Sequence, residues 1–297
     1  MKKTKNAENV SSVTSNNKMF PRLMISPTVL VLLVMTAYPV LFTIYYSFTN
    51  YNYVKKSYKF IGLENFVKLL TNHNFQIAIW NTVKFCVLAM VFEVSLGLLL
   101  AVFVNSFKRG QKVLRTLFLL PYLLPNITIA LTWKMMLSNN YGIVNQILQF
   151  FGLKGHNWFM EVGTAFGSIV MIDVWQNVPF VFLMLYATLQ TVSADQYEAA
   201  RIDGANGWQM FWKITIPNIS GGIVLCALLR TIDTFRLFDK VNVLTGGGPA
   251  GSTTTITQYL YNYGIKNLKF GFGSAGAIIM AVLVLVLSSS YIKRTIK

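Results

Sequence analysis

The sequence predicts an all-α membrane protein with six transmembrane helices. Of its 297 residues, 54% are hydrophobic and 12% are charged, whereas a soluble domain carries about 25% charged residues. The mean hydropathy is positive, and the apolar residues are gathered into six runs. Each run is long enough to approach or exceed the roughly 20 residues that cross a bilayer. Because backbone groups in lipid must be hydrogen-bonded within their own segment, we expect these runs to be helices.

The chain divides into a polar tail, residues 1–20, and a transmembrane domain, residues 21–297. The first apolar run is longer than the core of a signal peptide, and no small-residue cleavage site follows it, so it is expected to remain as an uncleaved helix. The six predicted spans are 23–48, 77–107, 114–137, 165–189, 217–238 and 270–292.

The basic residues predict the orientation of these spans. Fourteen Lys and Arg residues fall in the two tails and in the second and fourth connections, against eight in the other three connections. Connections rich in Lys and Arg stay on the cytoplasmic side. Both termini are therefore predicted to be cytoplasmic, in a multi-pass protein of the cell membrane.

Other classes of function are disfavoured by composition and spacing. The net charge of +16 lies in short runs between apolar stretches rather than in a basic stripe with exposed aromatics, so nucleic-acid binding is not expected. Cys86 and Cys226 lie inside apolar runs and are read as small buried hydrophobes. His73 and His156 stand alone, and no spacing resembles a metal site. No polar cluster suggests catalysis, so an enzyme is not predicted.

The segment 193–216, between the fourth and fifth spans, is too amphipathic to cross the membrane. Ser193 and Gln196 have the spacing of a capping box, which predicts a short helix from Ala194 that ends at Gly204. Asn206 can cap a second short helix, which carries Trp208, Phe211, Trp212 and Ile214, before Pro217 opens the fifth span. From physics alone, this element is either an interfacial helix anchored by tryptophan or a docking element for a soluble partner.

The residues of this segment resemble the EAA motif of ABC importer permeases. Glu198-Ala199-Ala200 is followed by Gly204 and then by Ile214-Thr-Ile-Pro217 at the spacing of that motif, with Ile216 in place of the usual Leu. The resemblance implies the type I ABC importer permease fold, with segment 193–216 as a cytoplasmic coupling helix that sits in the ATPase subunit. It implies a polar contact for Glu198, close approach at Ala199 and Ala200, and a turn at Gly204. Ile214 and Pro217 complete the predicted coupling set.

Two further segments are similar to the carbohydrate-uptake subfamily, which includes the maltose and glycerol-phosphate permeases. They are 60–66, after the first span, and 245–255, after the fifth. The resemblance implies a bacterial importer that moves a sugar or oligosaccharide inwards. Its expected partners are a second, different permease, two ATPase subunits and an external solute-binding protein. This chain would bind no cofactor, because ATP and Mg belong to the ATPase.

Ionisable and amide groups inside the spans indicate a solute pathway. Ionisable side chains in lipid are costly and tend to face a cavity or a partner. Arg230, Asp233 and Arg236 recur along one side of the fifth span and predict either an ion-paired network or solute contacts. Position in related permeases points to Asn177, Phe180, Asp233, Thr234 and Leu237.

Two alternatives remain. A secondary transporter would need inverted internal repeats, and the sequence shows no convincing self-similarity. Within the importers, a non-sugar solute such as glycerol phosphate stays open, because Arg230 and Arg236 suit phosphate.

Overall fold

The computed structural model describes residues 19–55, 58–107 and 109–295. The predicted tail 1–20 therefore lies, apart from its last two residues, outside the described residues. The helices are α1 Met19–Ser47, α2 Glu64–Thr71, α3 His73–Asn105, α4 Gln111–Leu123, α5 Asn126–Met136, α6 Ile143–Phe150, α7 Val162–Leu189, α8 Ala194–Ile202, α9 Gly207–Met210, α10 Ile216–Phe235, α11 Asp239–Leu244, α12 Ile256–Leu260 and α13 Phe270–Thr295.

In the described part of the chain, five helical segments are long and apolar enough to cross a membrane: Leu23–Ser47, His73–Asn105, Val162–Leu189, Gly207–Phe235 and Phe270–Tyr291. These correspond to predicted spans one, two, four, five and six. The third predicted span, 114–137, was wrong as a single helix. Its residues form α4 and α5, which are bent by 89° at a short break.

Proline explains this break. Pro125 has no amide hydrogen to continue the ladder of α4, and it disfavours helical geometry in the residue before it. Leu124 accordingly adopts an extended conformation with ψ of 140°. The side chain of Gln176 in α7 supports the break, because its Nε2 donates to the carbonyl oxygen of Leu124 and to Oδ1 of Asn126 at 3.2 and 2.9 Å.

The fifth span is longer than predicted at its N-terminal end, next to segment 193–216. The second short helix of segment 193–216 does not stop before the span. Instead, α9 continues through a π-helical turn, Phe211–Thr215, into α10. Pro217 lies at the first turn of α10, as expected, and the π turn places this proline in an otherwise unbroken helical segment of 29 residues.

The centre of the bundle is the packing of α3 along α7. Gly97 permits the close approach of these helices, because a Cβ at this position would lie 2.8 Å from Cγ1 of Val181. Around this contact, buried side chains such as Phe85, Ile169 and Phe182 form the hydrophobic core. The α3–α7 pair therefore provides the frame on which the polar residues of the spans are positioned.

Candidate solute cavity and coupling loop

A cavity of about 570 Å³ lies between α7, the C-terminal end of α10 and the break of the third span. We call it the central cavity. The turn after α10 and the first residues of α11 close its remaining side. Its lining residues are Tyr122, Leu124, Pro125, Asn126, Asp173, Gln176, Asn177, Arg230, Asp233, Thr234, Arg236, Leu237, Phe238, Asp239 and Lys240.

The structure brings most of the predicted solute-pathway residues together. Asn177, Asp233, Thr234 and Leu237 line the central cavity. Phe180 is not among these lining residues, because its half-buried ring packs against the core beside the cavity. There it stacks on Tyr122, with the ring centroids 5.5 Å apart.

The polar lining groups differ in how much hydrogen-bonding capacity they keep. The Asn177 Nδ2 group donates to the carbonyl oxygen and to Oδ1 of Asp173 at 2.9 and 3.0 Å. Thr234 Oγ1 donates to the carbonyl oxygen of Arg230 at 2.7 Å. These two side chains therefore present acceptors to the cavity. Asp233 is the more open group, with its side chain 53% exposed.

A buried ion cluster supports one wall of the cavity. The Arg230 guanidinium forms a two-pronged pair with Glu93 of α3, with N–O distances of 2.6 and 3.0 Å. It also lies 3.4 Å from Asp173 of α7 and 3.5 Å from Asp233. For Arg230 and Asp233, these contacts agree with the ion-paired network that the sequence offered as one alternative. The chief partner is Glu93, which lies 137 residues earlier in the chain.

The fifth charged group of the cluster is Lys240, which forms a salt bridge with Asp173 and is almost fully buried. Lys240 lies in the connection after the fifth span, as predicted, but its side chain is buried because α11 packs back against α5 and α7. Arg236 also differs from expectation. It is exposed to the cavity, and it pairs with no carboxylate in the described part of the chain.

The cavity carries no excess of positive charge. Among the described residues that line it, the carboxylates of Asp173, Asp233 and Asp239 are matched by three cations, Arg230, Arg236 and Lys240. Glu93 adds a further carboxylate directly behind Arg230. Because Arg230 and Lys240 are held by buried carboxylates, Arg236 and Asp233 are the charges most open to a bound molecule.

At the opposite end of the bundle, α8 and α9 form the coupling loop, segment 193–216. Helix α8 ends in a Schellman motif. The amide of Ala205 donates to the carbonyl oxygen of Ala200, and that of Gly204 donates to Arg201, at 2.9 and 3.1 Å. Gly204 has φ of +79°, so the predicted turn lies where a residue without Cβ is favoured.

The two helix starts differ from each other. Asn206 and Gln209 form a complete capping box, with both hydrogen bonds at 2.9 Å. The capping box predicted at Ser193 and Gln196 was wrong. Ser193 accepts from the amide of Asp195, and Oε1 of Gln196 is used instead by Asn218 of α10, at 2.9 Å. This second contact fixes α8 against the base of the fifth span.

The predicted coupling residues lie on one exposed element. Glu198, Ala199, Gly204 and Pro217 are exposed, whereas Ala200 and Ile214 are half-buried. Large apolar side chains accompany them, since Ile202 is 86% exposed and Trp208 is 71% exposed. The coupling loop thus presents an exposed apolar surface together with three exposed carboxylates, those of Asp195, Glu198 and Asp203.

A comparison with protein-family models decides the class of the molecule. Residues 93–292, which contain the central cavity and the coupling loop, match the model described as binding-protein-dependent transport system inner membrane component. The chain belongs to this family. It is therefore a multi-pass permease subunit of a binding-protein-dependent importer, and not an enzyme.

Relatives of this permease have comparable lengths. The chain is 39% identical over 272 residues to the trehalose/maltose transport system permease protein MalF of Thermococcus litoralis, covering 91% of this chain and 92% of that protein. It is 32% identical, over 91% of this chain and 88% of that protein, to the sulfoquinovosyl glycerol transport system permease protein SmoG of Agrobacterium fabrum.

A solved structure supports the fold of the permease. A chain of a bacterial ABC transporter that imports the acidic polysaccharide alginate superposes with a TM-score of 0.82 at 24% identity, covering 93% of this chain and 94% of that one. The fold is that of a type I ABC importer permease, as the EAA resemblance implied.

Sequence reasoning missed three features of the permease that shape the cavity: the break at Pro125, the support by Gln176, and the buried Lys240. Two prolines four residues apart, Pro121 and Pro125, were a local signal for the break. The pairing of Lys240 with Asp173 left no local signal, because it depends on how α11 folds back.

Proposed function

We propose that this permease carries a neutral sugar or short oligosaccharide through the central cavity. The observation that carries the proposal is the lining of that cavity, which combines amide and hydroxyl acceptors with the open carboxylate of Asp233 and has no surplus of cations. Sugar hydroxyls donate to such acceptors, and a hydrogen bond to a carboxylate is stronger than one to a neutral group. The names of relatives that transport trehalose, maltose or starch degradation products agree with this class of solute.

We further propose that the coupling loop docks on a separate ATPase, which holds ATP and Mg. Glu198 would make the polar contact, with Ala199 and Ala200 allowing close approach and Gly204 supplying the turn. The exposed Ile202 and Trp208 fit a groove on a soluble partner, which accepts the apolar face of a short helix.

The proposed assembly contains a second, different permease, two ATPase subunits and an extracytoplasmic binding protein. In this arrangement the coupling loop and both termini face the cytoplasm of a bacterial cell. The N-terminal end of α3, at His73, faces outwards. The central cavity then lies between the coupling loop and the external face.

The continuous helical segment Gly207–Phe235 gives this assembly a mechanism. At a rise of 1.5 Å per residue, Arg230 lies about 35 Å along the helix from Gly207. A displacement of the coupling loop by the ATPase is therefore carried directly to Arg230, Asp233 and Thr234. Nucleotide shifts the transporter between inward-open and outward-open states only if the two states contact the ATPase differently.

One observation favours a second candidate, an anionic solute such as glycerol phosphate. Arg236 lines the cavity without a carboxylate partner among the described residues, and arginine binds phosphate well. The neighbouring Asp233 and Asp239 oppose an anion, so the neutral solute is preferred.

The test is uptake by the whole importer in proteoliposomes, with its own second permease, ATPase and binding protein. Radiolabelled maltose, trehalose and glycerol 3-phosphate are supplied in turn. We expect ATP-dependent uptake of a neutral sugar and none of glycerol 3-phosphate. The opposite preference would refute the neutral-sugar proposal and leave the anionic candidate.

Gly204→Asp tests the coupling loop. A residue with Cβ at this left-handed position costs about 1–2 kcal/mol and places a charged side chain at the turn, so sugar-stimulated ATP hydrolysis and uptake should both fall at least tenfold. Gly163→Asp is the matched control, since Gly163 is exposed in the first turn of α7 with open space around it. Normal uptake by Gly204→Asp at normal membrane abundance would refute the coupling assignment.

A further inference from the structure

A second cavity, of about 370 Å³, lies at the end of the bundle opposite the coupling loop. We call it the outer cavity. Its walls are the first turn of α3 with Asn74, the glycine-rich loop 246–254, and the helical segment that carries Tyr259, Asn262 and Tyr263. Helix α3 shows that the outer cavity and the coupling loop lie at opposite ends of the bundle. It begins beside the outer cavity at His73 and runs 33 residues to Asn105. Asn105 is hydrogen-bonded to Gln190, just before the coupling loop.

The glycine-rich loop holds the outer cavity in a fixed shape. The Nδ2 group of Asn81 in α3 donates to the carbonyl oxygens of Gly251 and Thr254, both at 3.1 Å. Thr254 Oγ1 donates in turn to the carbonyl oxygen of Gly247 at 2.9 Å. Gly247 has φ of +95°, and a Cβ there would lie 2.6 Å from Oγ1 of Thr254. The loop is therefore closed by its own hydrogen bonds, and a pre-formed pocket is typical of small-molecule sites.

The lining chemistry selects the class of ligand. No Lys, Arg, Asp or Glu among the described residues lines the outer cavity, so it offers nothing to balance a phosphate or carboxylate group. It offers instead an aromatic pair, Tyr259 and Tyr263, with ring centroids 4.5 Å apart. Tyr263 is 44% exposed, and an exposed ring face can stack against the C–H face of a sugar.

Two amides complete this chemistry. Asn262 Oδ1 accepts from Nε2 of Gln258 at 3.3 Å, which leaves its Nδ2 hydrogens to donate elsewhere. Asn74 is exposed, and its side chain has no hydrogen-bond partner among the described residues. An exposed aromatic face together with the amide groups of Asn74 and Asn262 suits a ring that carries many hydroxyl groups.

We infer that the outer cavity is a second sugar-binding site of this permease, which takes one neutral sugar ring of the solute on its way from the binding protein to the central cavity. The inference rests on the proposed function, because it assumes that the solute is a neutral sugar. Thr255, which directly follows the glycine-rich loop, contacts a lining residue of the central cavity, because its Oγ1 donates to the carbonyl oxygen of Leu237 at 3.2 Å.

The test uses the assembled permease and ATPase complex in lipid nanodiscs, without binding protein, and maltose and maltotriose as probes. Saturation-transfer NMR measures contact between the protein and the sugar ring protons. In Tyr263→Ala and in Ile77→Trp, which fills the cavity, we expect the transfer to fall about fivefold. Tyr141→Ala is the control, because Tyr141 is likewise an exposed tyrosine and lies outside both cavities. Melting curves identify any variant that is poorly folded.

The outcomes separate the two proposals. Unchanged transfer in both outer-cavity variants overturns this site alone, provided that the wild type takes up neutral sugar in proteoliposomes. Unchanged transfer, combined with a higher half-saturating concentration of binding protein in the proteoliposome uptake assay, overturns it in favour of a protein contact. A wild-type importer that takes up glycerol 3-phosphate but no neutral sugar overturns the proposed function, and the site with it.

Discussion

Replacing Arg230 by Met is the most informative perturbation of the ion cluster. The substitution removes the guanidinium from Glu93, whose side chain is fully buried, and leaves Asp173 with Lys240 as its remaining partner. Breaking a buried pair from one side costs about 3–5 kcal/mol, because the remaining charge loses its compensation. We expect that cost mainly at Glu93, since Asp173 keeps a cation.

Removing both partners should cost much less. In Arg230→Met/Glu93→Leu no charge is left without its partner, and apolar residues of similar volume often replace a buried pair with little loss of stability. The double mutant should therefore recover most of the 3–5 kcal/mol. A coupling energy of about 2–3 kcal/mol is within the range found for residues in direct contact.

The assay is the thermal stability of the assembled complex in detergent, followed as the monodisperse fraction on size-exclusion chromatography after heating. Arg236→Met is the matched control, because Arg236 directly follows the last residue of the same helix, α10, and pairs with no carboxylate in the described part of the chain. A destabilisation of 3–5 kcal/mol corresponds to a fall of roughly 10 °C in the melting temperature. If Arg230→Met were as stable as Arg236→Met, or if the double mutant were simply additive, the assigned role of the cluster would be refuted.

Two further predictions concern the central cavity and the core. Asp233→Asn should lower the maximal rate of neutral-sugar uptake about tenfold at saturating loaded binding protein, because a charged acceptor is lost. Arg236→Met should leave this rate nearly unchanged, and equal rates in the two variants would remove Asp233 from the solute site. Gly97→Ala should lower the melting temperature, since its Cβ would press on Val181 and overpacking costs about 1–3 kcal/mol. Gly167→Ala, in a helix with open space at that position, should not, so a loss of stability in Gly167→Ala as large as in Gly97→Ala would contradict this packing argument.

The parts of the fold that were predictable are those with a local signal. A long apolar run identifies a span regardless of its neighbours, and segments such as His73–Asn105 agree with prediction to within a few residues. The two short helices of segment 193–216 were predictable because the Asn206 cap and the turn at Gly204 are short-range features. Gly204 illustrates this, since the Schellman motif is complete within six residues.

The parts that were missed depend on contacts between distant residues. A hydropathy scale counts Glu93, Asp173 and Arg230 each as an unfavourable charge within a span. The residues that flank them in the sequence do not indicate that these charges pair with one another. Gln196 shows the same limit on a smaller scale. Its spacing from Ser193 fits a capping box, yet its side chain finds Asn218, 22 residues away. A tertiary partner can replace a local one of similar strength, and the sequence alone does not rank the two.

The ion cluster also limits how the permease can move. It joins α3, α7, α10 and α11 through side chains that are almost fully buried. Separating these helices inside the membrane would leave charges without partners, at a cost of several kcal/mol for each ion. A displacement that starts at the coupling loop and passes along Gly207–Phe235 should therefore move these four helices together. The third span should then move relative to these four helices. It is already broken at Pro125, and the neutral hydrogen bonds of Gln176 hold it there. Hydrogen bonds of that kind contribute only about 0.5–1.5 kcal/mol each, so the wall of the central cavity that yields first is the break and not the ion cluster.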